Sequence, residues 1–268
     1  MMDSGNPRVF KEIQVEILDA IAYVTIQRPQ VMNALTRVTK KELLSFFQSA
    51  NDSEDYRVII LTGEGDRAFC AGTDLKDMAN FSSIDAEQML WLEHHLNDSI
   101  RHCRKPVIAA VNGNALGGGC LIPLICDYSI VADSAKLGFP EINAGLPASI
   151  EIAIVHSFVG LAKARELIYF GELFTPQEAL DMGLINRVVP KQDVLATAKE
   201  VAEKFMAKSP TALRLQKELV NKWIETDFIS AVETSIYAAG LAFTTGEPQA
   251  AIAKFLSRPK KMQKGNQS

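Results

Sequence analysis

The segment "AIAYVTIQRP" alternates, with Ala22, Val24 and Ile26 on one face, and it stops at Pro29. That pattern predicts a strand with one buried face. Downstream, "TRVTKKELLSFFQSA" changes period: Leu43, Phe46, Phe47 and Ala50 share one helical stripe, and Thr39 and Glu42 have capping-box spacing. Three short continuous apolar runs follow, "RVIILTG", "PVIAAVNG" and "YSIVAD". Each reads as a strand buried on both faces, and a charged helical stretch, "DAEQMLWLEHHLNDSIRHC", separates two of them. Buried strands divided by helices predict an α/β arrangement. From about Ser209 the pattern is helical throughout, with Val232, Ile236, Ala239 and Phe243 in register. The chain is therefore expected to divide into a core, residues 1–205, and a C-terminal helical region, residues 206–268. The last stretch, "SRPKKMQKGNQS", is expected to fray.

Composition narrows the function classes. The 268 residues are 47% hydrophobic and 22% charged, with net charge −4 and no long basic run. A nucleic-acid footprint is not indicated, and a phosphate-bearing ligand would have to be met by a few local cations. Cys70, Cys103, Cys120 and Cys126 form no C-x-x-C pair, which argues against a zinc site or a disulfide framework. Free thiols in a reducing compartment are the simpler expectation. The N-terminal stretch has no apolar signal core, and no apolar run is long enough for a membrane span. A cytoplasmic protein is expected.

Two glycine-containing loops follow strands, Gly63 to Met78 and Asn112 to Cys120. Neither is a nucleotide motif. A Walker A loop would need Gly-Lys-Ser/Thr where Gly118, Gly119 and Cys120 stand, and a G-x-G-x-x-G would need glycine at Ala68. If a helix starts at Gly118 or Gly119, its first N–H groups are unpaired and its dipole favours negative charge. Two such loops side by side could aim two donors at one oxygen. The same glycines could equally serve close packing of helix on strand.

Taken in order, "RPQVMNAL", "AFCAGTDLKDM", "NGNALGGGC…CDYSIVAD", "FPEINAGL" and "ALDMGLINRVVP" resemble the crotonase (enoyl-CoA hydratase/isomerase) family over nearly the whole chain. The resemblance implies an α/β spiral of β-β-α units with a helical C-terminal trimerisation region, assembled as a homotrimer or dimer of trimers. It implies an acyl-CoA thioester as substrate, with no metal or other cofactor. It makes the backbone N–H groups of Thr73 and Gly118 the oxyanion-hole donors. Ala71, Asp74, Leu75 and Lys76 fall in the substrate-binding segment, Lys76 and Arg28 as cations near the CoA phosphates and Asp74 at a position that is usually structural. Phe255 and Arg258 lie where a C-terminal aromatic and basic residue often reach CoA.

Hydratases of this family use two glutamates. One follows Gly-Gly-Gly-Cys directly, and this chain has Leu121 there; the other is the glutamate of "FPE", here Glu141. One carboxylate suffices to move a double bond from the 3,4 to the 2,3 position: Glu141 takes a proton from C2 and returns it at C4. The pattern at 121 resembles that of 3-enoyl-CoA isomerases, and an apolar neighbour is expected to raise the pKa of Glu141. Ser149 stands where dienoyl isomerases place an aspartate. Glu151 is the nearest further carboxylate, either facing the pocket or solvated. Two alternatives remain open: a hydratase, or hydratase-like hydrolase, with a non-standard second group, and a non-catalytic acyl-CoA-binding protein. Trp91, Leu92 and Met89 are expected in the core or the acyl pocket, and His156 in helix packing.

Overall fold

The computed structural model describes residues 10–257, with Glu151 given by its backbone alone. Two units separate between Ala207 and Lys208. The first is built on two sheets.

The larger sheet contains β1 (Ile13–Leu18), β2 (Ile21–Ile26), β3 (Val58–Gly63), β5 (Val107–Val111), β7 (Tyr128–Ala132) and β10 (Arg187–Val189), in the order β1-β2-β3-β5-β7-β10. Only the β1–β2 hairpin is antiparallel; the other neighbours run parallel. The smaller sheet is formed by β4 (Ala68–Cys70), β6 (Asn114–Leu116), β8 (Leu137–Gly138) and β9 (Leu173–Phe174), in that order. Each step of the chain from β3 to β8 thus places a long strand in one sheet, then a short strand in the other, and then a helix or helix pair. This is the β-β-α repeat that the family resemblance implies. The helices of the unit are α1 (Arg37–Ala50), α2 (Leu75–Met78), α3 (Ser83–Arg101), α4 (Gly118–Ile125), α5 (Val155–Phe170), α6 (Pro176–Asp181) and α7 (Val194–Met206).

The core sits where the apolar runs predict. Ala22, Val24, Ile26, Ile59 to Leu61, Val107 to Val111 and Ile130 to Ala132 are all fully buried. The predicted stripe of α1 is buried as well. Its start differs from the expected capping box. Thr36 is the N-cap, and its hydroxyl accepts from Val38 and Thr39 N–H. Glu42 instead accepts the N–H groups of Lys11 and Glu12 at 2.8 and 2.9 Å, which ties the start of β1 to the helix. Two further expectations are corrected: Trp91 is 55% exposed, and His156 is exposed on α5. Both lie on outward helix faces.

The second unit is helical, with α8 (Pro210–Glu225), α9 (Phe228–Phe243) and α10 (Glu247–Leu256). Ser209 and Asp227 cap α8 and α9 through their side chains. Among the described residues no helix is long and apolar enough to cross a membrane. The tail beyond Ser257 lies outside the described residues.

Candidate active site

The short strands bring the two glycine loops together. β4 pairs with β6 in parallel register, Ala68 opposite Asn114 and Cys70 opposite Ala115. Two side-chain amides, fully buried Asn33 and half-buried Asn112, clamp the first loop. Asn33 donates to Glu64 O and Ala68 O and accepts from Arg28 N–H, all at 2.8–2.9 Å. Asn112 donates to Gly63 O and Gly65 O. Each amide pairs carbonyls that no regular sheet would satisfy.

Helix α4 begins at Gly118. Its N-cap, Gly117, has φ 55° and ψ −128°, a conformation open almost only to glycine. Gly118 N–H therefore has no helical acceptor. Thr73 N–H, at the end of the first loop, lies between two N–H groups engaged elsewhere: Gly72 N–H reaches Cys70 Sγ and Asp74 N–H reaches Leu35 O. Neither Thr73 nor Gly118 donates its N–H to another of the described residues. The loops nearly touch, since a Cβ placed on Gly72 would fall 3.4 Å from Gly118 N.

Both donors line a cavity of about 270 Å³. Ala71, Leu75, Met78, Met89, Leu90, Leu121, Leu146 and Ile150 give it apolar walls. Two carboxylates enter it. Glu141 lies in a short 3-10 helix, Pro140–Ala144, directly after β8. The pairing of β6 with β8, extended by Gly117 N–H to Gly138 O at 2.9 Å, seats it against the glycine turn. A Cβ on Gly117 would lie 2.9 Å from Glu141 Oε1. Glu141 Oε2 is buried and has no hydrogen-bond partner among the described residues. Burial, with a smaller contribution from the charge of Glu93, raises the Glu141 pKa above the ordinary carboxylate value. That is the direction expected from Leu121, which is buried in the cavity wall.

The second carboxylate, Glu93, was not singled out in the sequence. It lies on the buried face of α3 with Met89, Leu96 and Ile100. Its Oε2 pairs with Lys40 Nζ at 2.5 Å and accepts the Thr73 hydroxyl at 3.0 Å, while Lys40 Nζ also donates to Thr73 Oγ1 at 2.8 Å. Lys40 is fully buried. A Cβ on Gly118 would collide with Glu93 Oε1. The signal was present: Lys40 stands at helical spacing with Leu43 and Phe47, and Glu93 with Met89 and Leu96. A charge of each sign on an apolar stripe marks a buried pair.

The remaining expected residues divide. Ala71, Thr73, Leu75, Gly118, Leu121 and Glu141 line the cavity. Lys76 is exposed beside Leu75. Arg28 does not line the cavity; its guanidinium is engaged by Asp74 Oδ2 at 3.0 Å, Glu12 Oε1 at 3.4 Å and Ala34 O at 2.5 Å. Asp74 also caps α2, so it acts in holding the loop. Phe255 is exposed on α10 in the second unit, and Arg258 lies outside the described residues. The backbone of Glu151 lies in a 3-10 helix, Ile150–Ile154. Cys70 and Cys120 are buried, and burial pushes both thiols up to about 12, which disfavours the thiolate a nucleophile requires.

Comparison with known proteins matches residues 16–264 to the profile of the family described as "Enoyl-CoA hydratase/isomerase". A crotonyl-CoA hydratase of Syntrophomonas wolfei is 34% identical over 252 residues, covering 94% of this chain and 97% of that protein. A short-chain-enoyl-CoA hydratase of Clostridium acetobutylicum is also 34% identical, over 90% of this chain and 92% of its own. Among solved structures, an enoyl-CoA hydratase from Bacillus anthracis superposes with a TM-score of 0.87 at 31% identity, covering 91% of this chain and 96% of that one.

Proposed function

The chain belongs to the enoyl-CoA hydratase/isomerase (crotonase) family, and on that premise we propose that it isomerises 3-enoyl-CoA to 2-enoyl-CoA thioesters. The observation that carries this reading is Glu141, a residue of the cavity wall beside two unengaged backbone donors, whose Oε2 is buried without a partner among the described residues. Thr73 and Gly118 N–H hold the thioester oxygen. Glu141 removes the C2 proton, the electrons spread into a dienolate, and the same carboxyl group returns the proton at C4. A raised pKa suits a group that must bind the proton between two carbons. The reaction needs no metal or redox group, and CoA enters as part of the substrate. Exposed Lys76 meets the CoA phosphates. The assembly is a homotrimer or dimer of trimers, and the compartment the cytoplasm.

Incubation with a 3-enoyl-CoA tests this. Glu141→Gln is expected to lower kcat/KM at least about 100-fold, the range of a general base, while the thioester still binds. Full activity in that variant would remove the single-base mechanism. A wild type that binds thioesters without turning them over would favour a binding protein. The pH profile offers a second check: kcat/KM should rise through an apparent pKa above the usual 4.5, because the base form is the ionised one. A second reading, hydration of 2-enoyl-CoA, is favoured by the hydratase names of the two 34%-identical relatives.

A further inference from the structure

We propose that Glu93, held by Lys40 and Thr73, is a second catalytic carboxylate that activates water for addition to a 2-enoyl thioester in this same pocket. The inference rests on the oxyanion-hole reading of Thr73 and Gly118 and adds an activity to it.

The geometry assigns the two carboxylates to different sides of one turn. Virtual Cβ atoms on the adjacent residues Gly117 and Gly118 meet Glu141 Oε1 and Glu93 Oε1 respectively. Both side chains line the cavity. Their hydrogen-bond surroundings differ. Glu93 is ion-paired with a fully buried lysine, whereas Glu141 has neither cation nor donor on Oε2. The Lys40 and Thr73 bonds use Oε2 of Glu93 alone, and Oε1 accepts none of the hydrogen bonds made among the described residues. That oxygen is the one turned toward Gly118. A buried ion pair is weak evidence for stability by itself; one that leaves a carboxylate oxygen facing the reaction cavity serves the cavity.

The step balances as follows. Water donates one proton to Glu93 Oε1 as its oxygen bonds to C3. The C2=C3 π electrons move toward the thioester, whose oxygen is held by the two N–H groups. C2 then takes the proton of protonated Glu141. The product is the 3-hydroxyacyl thioester, and the proton on Glu93 is returned to Glu141 through solvent as product leaves. Glu93 thereby supplies, from α3, the carboxylate that Leu121 does not supply from α4.

The test compares hydration of a 2-enoyl-CoA with isomerisation of a 3-enoyl-CoA in wild type, Glu93→Gln and the double variant Lys40→Met/Glu93→Gln. The double variant leaves no uncompensated charge, so it reports even where the single variant fails to fold. The wild type is expected to catalyse both reactions. In the variants the ratio of hydration to isomerisation kcat/KM should fall about 100-fold, the contribution of one general base. Adding Leu121→Glu to the double variant should recover at least about tenfold of the lost hydration. A wild type that isomerises without hydrating overturns the inference and leaves the isomerase reading intact. Parallel loss of both reactions in the double variant makes Glu93 a structural partner and also overturns it. Hydration without isomerisation removes the isomerase reading; Glu93 then stands if the double variant loses hydration while thioester affinity by calorimetry holds.

Discussion

Glu141 carries a carboxyl group whose protonated form the fold favours. Its pKa is raised by burial, so the folded state binds the proton more tightly than the unfolded chain. The associated stability is present below the unfolded value and is lost as pH rises through the folded one. Glu141→Gln should therefore unfold at a higher temperature than wild type at neutral pH, with the difference closing toward about pH 4. A lower melting temperature at neutral pH would mean that the carboxylate is stabilised by something other than substrate. The Lys40–Glu93 pair predicts a different pattern. Lys40→Met alone strands a buried carboxylate and should cost about 3–5 kcal/mol, while the double change with Glu93→Gln should recover much of it. Urea unfolding of the three variants measures that coupling, and additive losses would contradict it. These two positions also show what the sequence could carry. Glu141, Thr73 and Gly118 were singled out through short segments that resemble the family's, and all three line the cavity. Glu93 was passed over, because "LEHH" reads as a solvated helix face unless it is set beside Lys40, the opposite charge on the apolar stripe of α1.

Between residues and molecule stand the strands and loops, and here legibility followed length. β3, β5 and β7 are continuous apolar runs of five or six residues, and each was predicted. β4, β6 and β8 are two or three residues long, too short to show a period, yet they join the two glycine loops. The turn they support makes a sharp prediction. Gly117→Ala forces a Cβ into a positive-φ position and against Glu141. It should lose stability and most of the activity together, read by urea unfolding and by turnover. Asn33→Ala tests the clamp. It leaves Arg28 N–H and the carbonyls of Glu64 and Ala68 without their partner. A loss of roughly 3 kcal/mol is expected from buried groups left unpaired. A neutral substitution would show that water replaces the amide.

Across the whole molecule, the cavity lies in the first unit, and the second unit presents apolar surface. On α9, Phe228, Ile229, Ile236 and Tyr237 are each more than 60% exposed in the single chain. Apolar side chains repeated along one helix are the mark of an interface. Sedimentation should give three or six chains per particle, and Ile236→Asp with Tyr237→Asp should release smaller species. A wild-type monomer would leave that face unexplained. One consequence concerns how long such a molecule lasts. A 2-enoyl thioester is an electrophile, and a thiolate near its β-carbon would be alkylated. Cys70 and Cys120 border both glycine loops, but each is buried and kept as the thiol by burial. A 2-enoyl thioester held between the glycine loops would therefore find no thiolate there to alkylate.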